Sequence, residues 1–203
     1  MVTNGGRDPR ATRARILAAA LEEFSARGFA GARVDRIAGR ARANKRMLYH
    51  YFGNKDDLFR AILRLKLGER LEWLALEPAD LAKSLPYWLE RVSADPDWVR
   101  LMEWEALRVG TGPVIDERAR RRVMARGVAH LRRRQAQGSL ARNLDPAQVL
   151  LSLMALTTFP VAFPQVTRLV TGLGPGDPEF RRRRARFLRR LARAFSGSAR
   201  NGR

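Results

Sequence analysis

The residues whose types and spacing could do chemistry are concentrated between Lys45 and Lys55. Lys45 and Tyr49 are four residues apart, as are Arg46 and His50, so a helix would present each pair as neighbours on its outer side. Lysine and arginine can contact guanine edges or phosphates, and a tyrosine hydroxyl can contact a phosphate. Lys55 stands where a further helix begins, and the free amides of a helix start also favour a phosphate. These residues predict a surface that binds the major groove of DNA.

The composition agrees with a nucleic-acid partner but is weaker evidence than this pattern. The 203-residue chain has a formal net charge of +20 and a pI of about 11.7, which favour binding to a polyanion. All but four of its 40 basic residues are arginine, a bias that a GC-rich genome also produces. A hydrophobic content of 45% indicates a globular chain with a buried core.

The sequence also excludes several classes of protein. It has no cysteine, so disulfide scaffolds and thiol chemistry are ruled out. The first residues lack the apolar stretch of a signal peptide. The most apolar segment, residues 149–163, is interrupted by polar residues and a proline and falls short of the roughly 20 apolar residues that a membrane span needs. We therefore expect a soluble cytoplasmic protein without a membrane partner.

Helices are the elements that must position these residues, because apolar side chains recur at helical spacing and no segment alternates like a strand. Leu48 and Phe52 would face inward from the third helix. Asp95 and Asp145 each precede a proline, which predicts helix N-caps at both positions. Beyond Pro164 the chain either remains a loop or resumes a helix. The predicted helices span about residues 12–28, 34–41, 45–52, 56–76, 80–92, 95–110, 115–137, 145–160 and 179–195.

These elements predict an all-α fold of about nine helices in two domains. Residues 1–11 would form a flexible basic arm, and residues 12–55 would form a three-helix unit containing a helix-turn-helix. Residues 56–195 would form a larger helical bundle, and residues 196–203 a disordered tail. Arg7, Arg10 and Arg13 of the first segment either reach the minor groove or backbone of DNA or belong to a solvated tail.

Three segments of the chain resemble the DNA-binding domain of TetR-family transcriptional regulators, over about residues 12–60. They are Gly28-Phe29-Ala30, Val34-Asp35-Arg36-Ile37-Ala38, and the run from Leu48 to Leu58. The resemblance implies a bacterial homodimeric repressor whose two heads lie in successive major grooves of a palindromic operator. A small molecule bound in the C-terminal bundle would release the DNA. The family's base-reading positions fall on Lys45, Arg46 and Met47, and its phosphate-contacting positions on Tyr49, Tyr51 and Lys55.

Two residues depart from the family pattern. Arg33 stands where the family usually has serine or threonine capping the second helix, and Arg42 stands where it usually has glycine in the turn. If the turn needs a left-handed backbone, Arg42 costs on the order of 1 kcal/mol. A phosphate contact by Arg42 would compensate for this strain. We count Arg33, Arg42 and His50 among the candidate DNA contacts.

A ligand pocket is expected in the bundle, with two interpretations open for its residues. Glu105 shares a helix face with Trp98 and Met102, where it is either a ligand-facing acid that favours cations or a carboxylate paired with an arginine. Trp104 and the other aromatic residues of the bundle either line the pocket or form plain core. The candidate pocket residues are Trp73, Trp88, Met102, Glu105, Phe159 and Phe163.

The helices near residues 146–159 and 179–195 are the expected dimer faces, by the same resemblance. Their apolar stripes are wider than one intramolecular contact requires. The run from Arg181 to Arg184 is either a second nucleic-acid site or the solvated side of its helix. The candidate dimer residues are Val149, Leu153, Leu156, Phe187, Leu188 and Leu191.

The residues do not support an enzyme. His50 and His130 are the only histidines, and no metal-ligand spacing, glycine-rich phosphate loop or Ser/His/Asp constellation can be assembled. We therefore predict no catalytic residue, no metal and no cofactor. The alternative from another class is a basic DNA-packaging or architectural protein without a ligand. Salt dependence and sequence preference would separate it from a regulator.

Overall fold

A computed structural model describes residues 8–197, with side chains described as far as Arg193. The described part is all-α and contains no strand, as predicted. Ten helices are present rather than about nine, because the chain resumes a helix after Pro164. They are α1 (Pro9–Gly31), α2 (Val34–Arg40), α3 (Lys45–Phe52), α4 (Lys55–Ala75), α5 (Leu81–Ser93), α6 (Pro96–Val109), α7 (Glu117–Ala136), α8 (Pro146–Ala162), α9 (Pro164–Thr171) and α10 (Pro178–Gly197).

The ends of the described chain correct two predicted boundaries. The side chain of Asp8 caps α1 by accepting the backbone N–H of Arg10 at 2.9 Å, and proline occupies the first helical position. Residues 9–11 of the predicted arm are therefore helical. Arg13 also lies within α1, with its guanidinium 5.2 Å from the centre of the Phe52 ring. The predictions for residues 1–7, including Arg7, lie outside the described residues.

At the other end, α10 continues to Gly197, so Ser196 and Gly197 are helical rather than part of a tail. The prediction for residues 198–203 lies outside the described residues. No single helix in residues 8–197 is long and apolar enough to cross a membrane. The helices α8 and α9 pass that test only as a pair, and they are bent by 88° at their junction.

The chain divides into two compact units at positions that the sequence did not predict. The first unit runs to Glu69 and includes Arg100–Asp116, while the second contains Arg70–Val99 and the chain from Glu117. The boundary expected between residues 55 and 56 therefore lies inside the first unit. The helices α4 and α6 each contribute residues to both units.

The core of the first unit joins α1–α4. Phe24 packs edge-on against Phe59, with ring centres 5.0 Å apart. Each fully buried apolar side chain contributes roughly 1.5–3 kcal/mol relative to exposure. This core sets the position of α3 against α1 and α2. Its fully or almost fully buried residues are Ile16, Phe24, Ile37, Leu48, Leu58, Ile62 and Leu63.

The core of the second unit is built where α5 packs against α10 and α8. Leu85 of α5 and Leu188 of α10 are completely buried there, and Leu131 of α7 joins them. Leu188 was predicted to lie in a dimer interface, and this prediction is wrong because the side chain is 0% exposed within one chain. The apolar stripe of α10 thus serves the chain's own core first.

Candidate functional site

The turn between α2 and α3 has the left-handed backbone that the sequence suggested. Arg42 has a φ of 50°, and its amide donates to the carbonyl of Gly39 at 3.1 Å. The amide of Ala43 donates to the carbonyl of Ala38 at 3.0 Å. These two hydrogen bonds end α2 in a motif whose left-handed residue, here Arg42, is usually glycine. Arg42 is exposed, and its left-handed backbone is strained because the residue is not glycine.

The helix α3 separates its residues into an inner and an outer side. Asn44 caps the helix by accepting the amide of Met47 at 2.7 Å, and Leu48 and Phe52 are buried as predicted. The predicted contact residues lie together on the remaining surface of α3. Lys45, Arg46, Tyr49 and His50 are exposed, and Met47 and Tyr51 are half-buried.

The two lysines that begin α3 and α4, Lys45 and Lys55, have partners that were not predicted from the sequence. The Nζ atom of Lys45 lies 3.0 Å from Oδ1 of Asp35 on α2, and this hydrogen bond and the charge of Asp35 raise the pKa of Lys45. The ammonium of Lys55 lies 4.8 Å from the centre of the Phe29 ring and donates to the carbonyl of Ala30 at 3.5 Å. Each of the two ammonium groups therefore has a partner within its own chain.

Arg33 precedes α2 without a side-chain capping bond, and Glu23 of α1 supplies the missing acceptor. Glu23 is 0% exposed and accepts the amide of Arg33 at 3.2 Å. Its carboxylate also pairs with Arg27, Arg36 and Arg40 at 3.4–3.5 Å. Glu23 was missed, although its place seven residues after Ile16 on the apolar side of α1 was a detectable signal.

Three residues predicted near the ligand pocket lie in the first unit instead. The indole N–H of Trp104 donates to the carbonyl of Ser25 at 3.1 Å, and its ring lies against Gly28. A Cβ atom at Gly28, where φ is 67°, would be 2.8 Å from that ring, which explains the glycine. Glu105 is buried and accepts the amide of Ile115 at 3.4 Å. Met102 belongs to the same unit.

The second unit contains a cavity of about 140 Å³. Trp73 and Trp88, two of the candidate pocket residues, line it together with Trp98. Phe159 and Phe163 do not line this cavity; they are exposed and pack against each other with ring centres 4.9 Å apart. The other apolar wall residues are Leu74, Val92, Val123, Met124, Leu131, Leu150, Leu153 and Met154.

One side of the cavity is polar and is built around Glu77. This carboxylate accepts a hydrogen bond from Arg134 at 3.1 Å and one from the hydroxyl of Ser84. His130 lies 3.5 Å from Glu77, and its Nε2 accepts from Arg134 at 3.1 Å. Burial lowers the pKa of His130, and the charges of Arg134 and Arg133 act in the same direction against that of Glu77. His130 is therefore a neutral hydrogen-bond acceptor at pH 7 in the wall of the cavity.

A stacked cation forms another part of the cavity wall. The guanidinium of Arg70 lies 4.2 Å from the centre of the Trp73 ring and 4.6 Å from that of Trp98. It also pairs with Asp95 at 2.7 Å. One face of Trp73 and one face of Trp98 are therefore covered by the Arg70 guanidinium.

The predicted dimer residues are only partly available at the surface. Val149, Leu153 and Leu156 are half-buried against the core of their own unit, and Leu191 is half-buried. Phe187 is 50% exposed. Sequence reasoning missed two more exposed apolar residues of α8, because it could not say which side of the helix faces the core. They are Leu151, which is 62% exposed, and Met154.

Most of the arginine run in α10 is engaged within the chain. Arg182 and Arg183 pair with Glu179 on the same helix, and Arg184 donates to the carbonyl of Leu156 at 2.8 Å. These contacts favour a helix surface over a second nucleic-acid site.

Two family models match the chain. Residues 16–62 match "Bacterial regulatory proteins, tetR family", and residues 85–193 match "Tetracyclin repressor-like, C-terminal domain". The chain is 38% identical over 168 residues to the HTH-type transcriptional repressor SCO4008 of Streptomyces coelicolor, covering 83% of this chain and 88% of that protein. It is 48% identical over 52 residues to the HTH-type transcriptional repressor NicS of Pseudomonas putida, or 26% of this chain and 24% of that one.

Solved structures agree with these matches. The putative transcriptional regulator SCO4942 from Streptomyces coelicolor superposes with a TM-score of 0.75 at 30% identity, covering 89% of this chain and 97% of that one. Salmonella enterica GusR superposes with a TM-score of 0.67 at 22% identity, over 96% and 100% of the two chains, and shows a shared fold.

Proposed function

The chain belongs to the TetR family of DNA-binding transcriptional regulators, and from this premise we propose that it is a homodimeric repressor released from a palindromic operator by a small molecule. The observation that carries the proposal is the exposed basic and aromatic side of α3, mounted on a helix-turn-helix. Repression is proposed because the relative covering most of this chain is named a repressor. The protein would act in the cytoplasm, on the nucleoid, through binding and without catalysis.

The N-terminal residues of α3 would enter the major groove. Lys45, Arg46 and Met47 would read base edges there, since the first turn of a recognition helix points into the groove. Tyr49, Tyr51 and Lys55 would contact phosphates and fix the register. Arg33 and Arg42 are exposed at the two ends of α2 and would add backbone contacts.

The dimer would form through the apolar residues that α8 and α10 leave exposed. Leu151, Met154 and Phe159 of α8 and Phe187 of α10 are at least two-fifths exposed in one chain. A second copy would cover them around a two-fold axis, which also matches the symmetry of a palindromic site. Leu151→Glu combined with Phe187→Glu should convert a dimer to a monomer in analytical ultracentrifugation.

The ligand would occupy the cavity of the second unit. Three tryptophans and a small volume favour a compact ligand with a planar aromatic part, since a cavity of similar size holds one aromatic ring. Glu77, His130 and the two threonines Thr157 and Thr158 would fix its polar end. For release, the ligand must bind the dimer conformation that occurs without DNA more tightly than the conformation whose head spacing fits the operator.

Selection of bound sites from random duplex DNA tests the regulatory function. Enrichment of a palindrome with half-sites about one helical turn apart supports the proposal. Recovery of bound DNA without a shared sequence would favour a packaging protein instead. Alanine at Arg46 should relax preference at particular positions without abolishing the fold.

Tryptophan fluorescence tests the ligand. A panel of small aromatic compounds is screened for quenching and then for release of the selected DNA. Met124→Trp, which narrows the cavity, should abolish release and leave DNA affinity unchanged. Compounds that quench equally in both proteins bind elsewhere.

A further inference from the structure

The ion pair between Asp35 and Lys45 stands out on a surface that must approach phosphates. Asp35 is the only acidic residue between Val34 and Phe52, and its side chain is 75% exposed. An exposed ion pair adds only about 0–1 kcal/mol to stability, and the place of Asp35 in the first turn of α2 adds about 0.3–1 kcal/mol more. A negative charge beside the recognition helix also weakens the general attraction to DNA. The place of this acid beside the recognition helix therefore admits a role in DNA recognition besides its small contribution to stability.

The pair presents one acceptor and one donor side by side. Oδ1 of Asp35 lies 3.0 Å from Nζ of Lys45, and Lys45 is the first residue of α3. In the major groove a G·C pair likewise presents the guanine O6 acceptor beside the cytosine N4 donor. These two base atoms are about 2.9 Å apart, because the N4–H···O6 hydrogen bond joins them. The spacing of the ion pair thus matches the spacing of the base edge.

We infer that Asp35 is a specificity-determining residue that, jointly with Lys45, reads the order of acceptor and donor in one base pair, as a G·C pair presents it. The ammonium donates to O6 of guanine, and the carboxylate accepts the outward N–H of cytosine N4. An A·T or C·G pair, read along the same strand, reverses the positions of donor and acceptor, so the same couple meets it with like groups opposed, whereas a T·A pair keeps the order of G·C and is accepted. Asp35 also holds Lys45 in place before DNA arrives, which is the direction in which it shifts the pKa of Lys45.

This inference rests on the groove docking of α3 proposed above. It differs from the alternative that Asp35 only weakens binding to every sequence. Joint reading predicts a base preference that depends on both residues. A purely electrostatic role predicts tighter binding to all sequences once the acid is removed, with the preference unchanged.

The experiment uses the full-length protein and four duplexes. They carry the selected site and differ only at the position whose preference is lost in Lys45→Ala. Affinities are measured by fluorescence anisotropy for the wild type, Asp35→Ala, Lys45→Ala and the double variant. We expect Asp35→Ala to reduce the discrimination of G·C against A·T and C·G, read along the same strand, by about 5- to 100-fold, with T·A bound nearly as well as G·C by the wild type. The double variant should discriminate no less than Lys45→Ala, because the two residues act as one reader.

Two controls separate the possible failures. Glu22→Gln removes the same charge from an exposed acid of α1, 3.9 Å from Arg40, and should leave discrimination unchanged. Arg46→Ala should alter preference at another position if α3 lies in the groove. A circular dichroism melt establishes that each variant is folded, and Asp35→Asn keeps the shape with a weaker acceptor, so it should lose part of the discrimination.

Equal tightening of all four complexes by Asp35→Ala, with Arg46→Ala still altering preference, would overturn the inference alone. No base preference in the wild type, or none altered by either Lys45→Ala or Arg46→Ala, would overturn it together with the docking of α3.

Discussion

Each of the two compact units holds a glutamate that pairs with arginine, and these two glutamates, Glu23 and Glu77, differ in what surrounds them. Glu23 in the first unit is enclosed by three half-exposed arginines and the backbone at the start of α2. Glu77 in the second unit is held by the buried Arg134 and lines a cavity. The first carboxylate is closed off by its own chain, and the second has one side open to a small molecule.

We therefore expect the two arginine-paired carboxylates to have different roles. A carboxylate that is enclosed on every side holds the surrounding helices in position. In the first unit Glu23 holds α1 against α2, and α3 follows α2 in the chain. A carboxylate beside a cavity positions its neighbours and still offers an atom to a ligand. Four changes test whether this distinction holds, beginning with the largest expected effect.

Arg134→Met should lower the free energy of unfolding by about 3–5 kcal/mol, because it leaves Glu77 as a buried charge without its cation. Urea denaturation followed by circular dichroism measures this change. Arg121→Met on the same helix is the matched control, since Arg121 pairs with Glu117 at the surface and should cost less than about 1 kcal/mol. Equal losses in the two variants would contradict the role given to Arg134.

Glu23→Gln should cost about 1–3 kcal/mol, because a neutral amide bonds less strongly to the amide of Arg33 and to the arginines. The loss is smaller than at Arg134, since the arginines around Glu23 can turn to water. DNA affinity should also fall, as α2 and α3 lose their anchor to α1. Glu22→Gln, one residue away and exposed, should change neither quantity. A Glu23→Gln protein that kept its stability but bound DNA more weakly would show that Glu23 positions α2 and α3 without stabilising the fold.

Arg42→Gly and Arg42→Ala separate backbone strain from side-chain contact in the turn. Glycine should raise stability by about 1 kcal/mol, because it relieves the φ of 50°, whereas alanine keeps the strain. Both changes should lower the slope of log affinity against log salt by about one if Arg42 contacts a phosphate. Unchanged affinity and slope in Arg42→Gly would remove the DNA contact and leave the strain unexplained.

His130→Gln should produce the smallest effect, seen only as a change in pH dependence. Because the folded protein holds the pKa of His130 below its usual value of 6.5, folding favours the neutral ring. The stability that this gives is present above pH 6.5 and is lost as the pH falls through the folded pKa. Thermal melts between pH 7.5 and 5 should therefore show a smaller loss for His130→Gln than for the wild type. Parallel curves would contradict the burial of a neutral histidine.

The local parts of this account could be predicted from the sequence. Helical periodicity located the helices, and the spacing of Leu48 and Phe52 identified the inner side of α3. The left-handed backbone at Arg42 was suggested by the resemblance, since TetR-family regulators usually have glycine at that place in the turn. These features depend on residues within one or two helical turns of each other, where the sequence is directly informative.

The long-range parts could not be predicted in the same way. Trp98 and Trp104 lie on one helix, yet Trp98 lines the cavity of the second unit and Trp104 packs in the first. Helical periodicity identifies which residues share one side of a helix, but it does not identify the element that covers that side. For the same reason, Leu188 was placed in an interface although α5 covers it, and the partners of Glu23 and Asp35 were missed.

The central claim is that α3 reads a particular DNA sequence. Competition binding at about 150 mM salt, between the selected palindrome and a scrambled duplex of equal length and composition, tests it most directly. We expect a preference of at least about 1,000-fold for the palindrome, which falls toward unity in Arg46→Ala combined with Lys45→Ala. Near-equal affinities with a steep salt dependence would contradict it, and would identify a basic protein that binds DNA through charge alone.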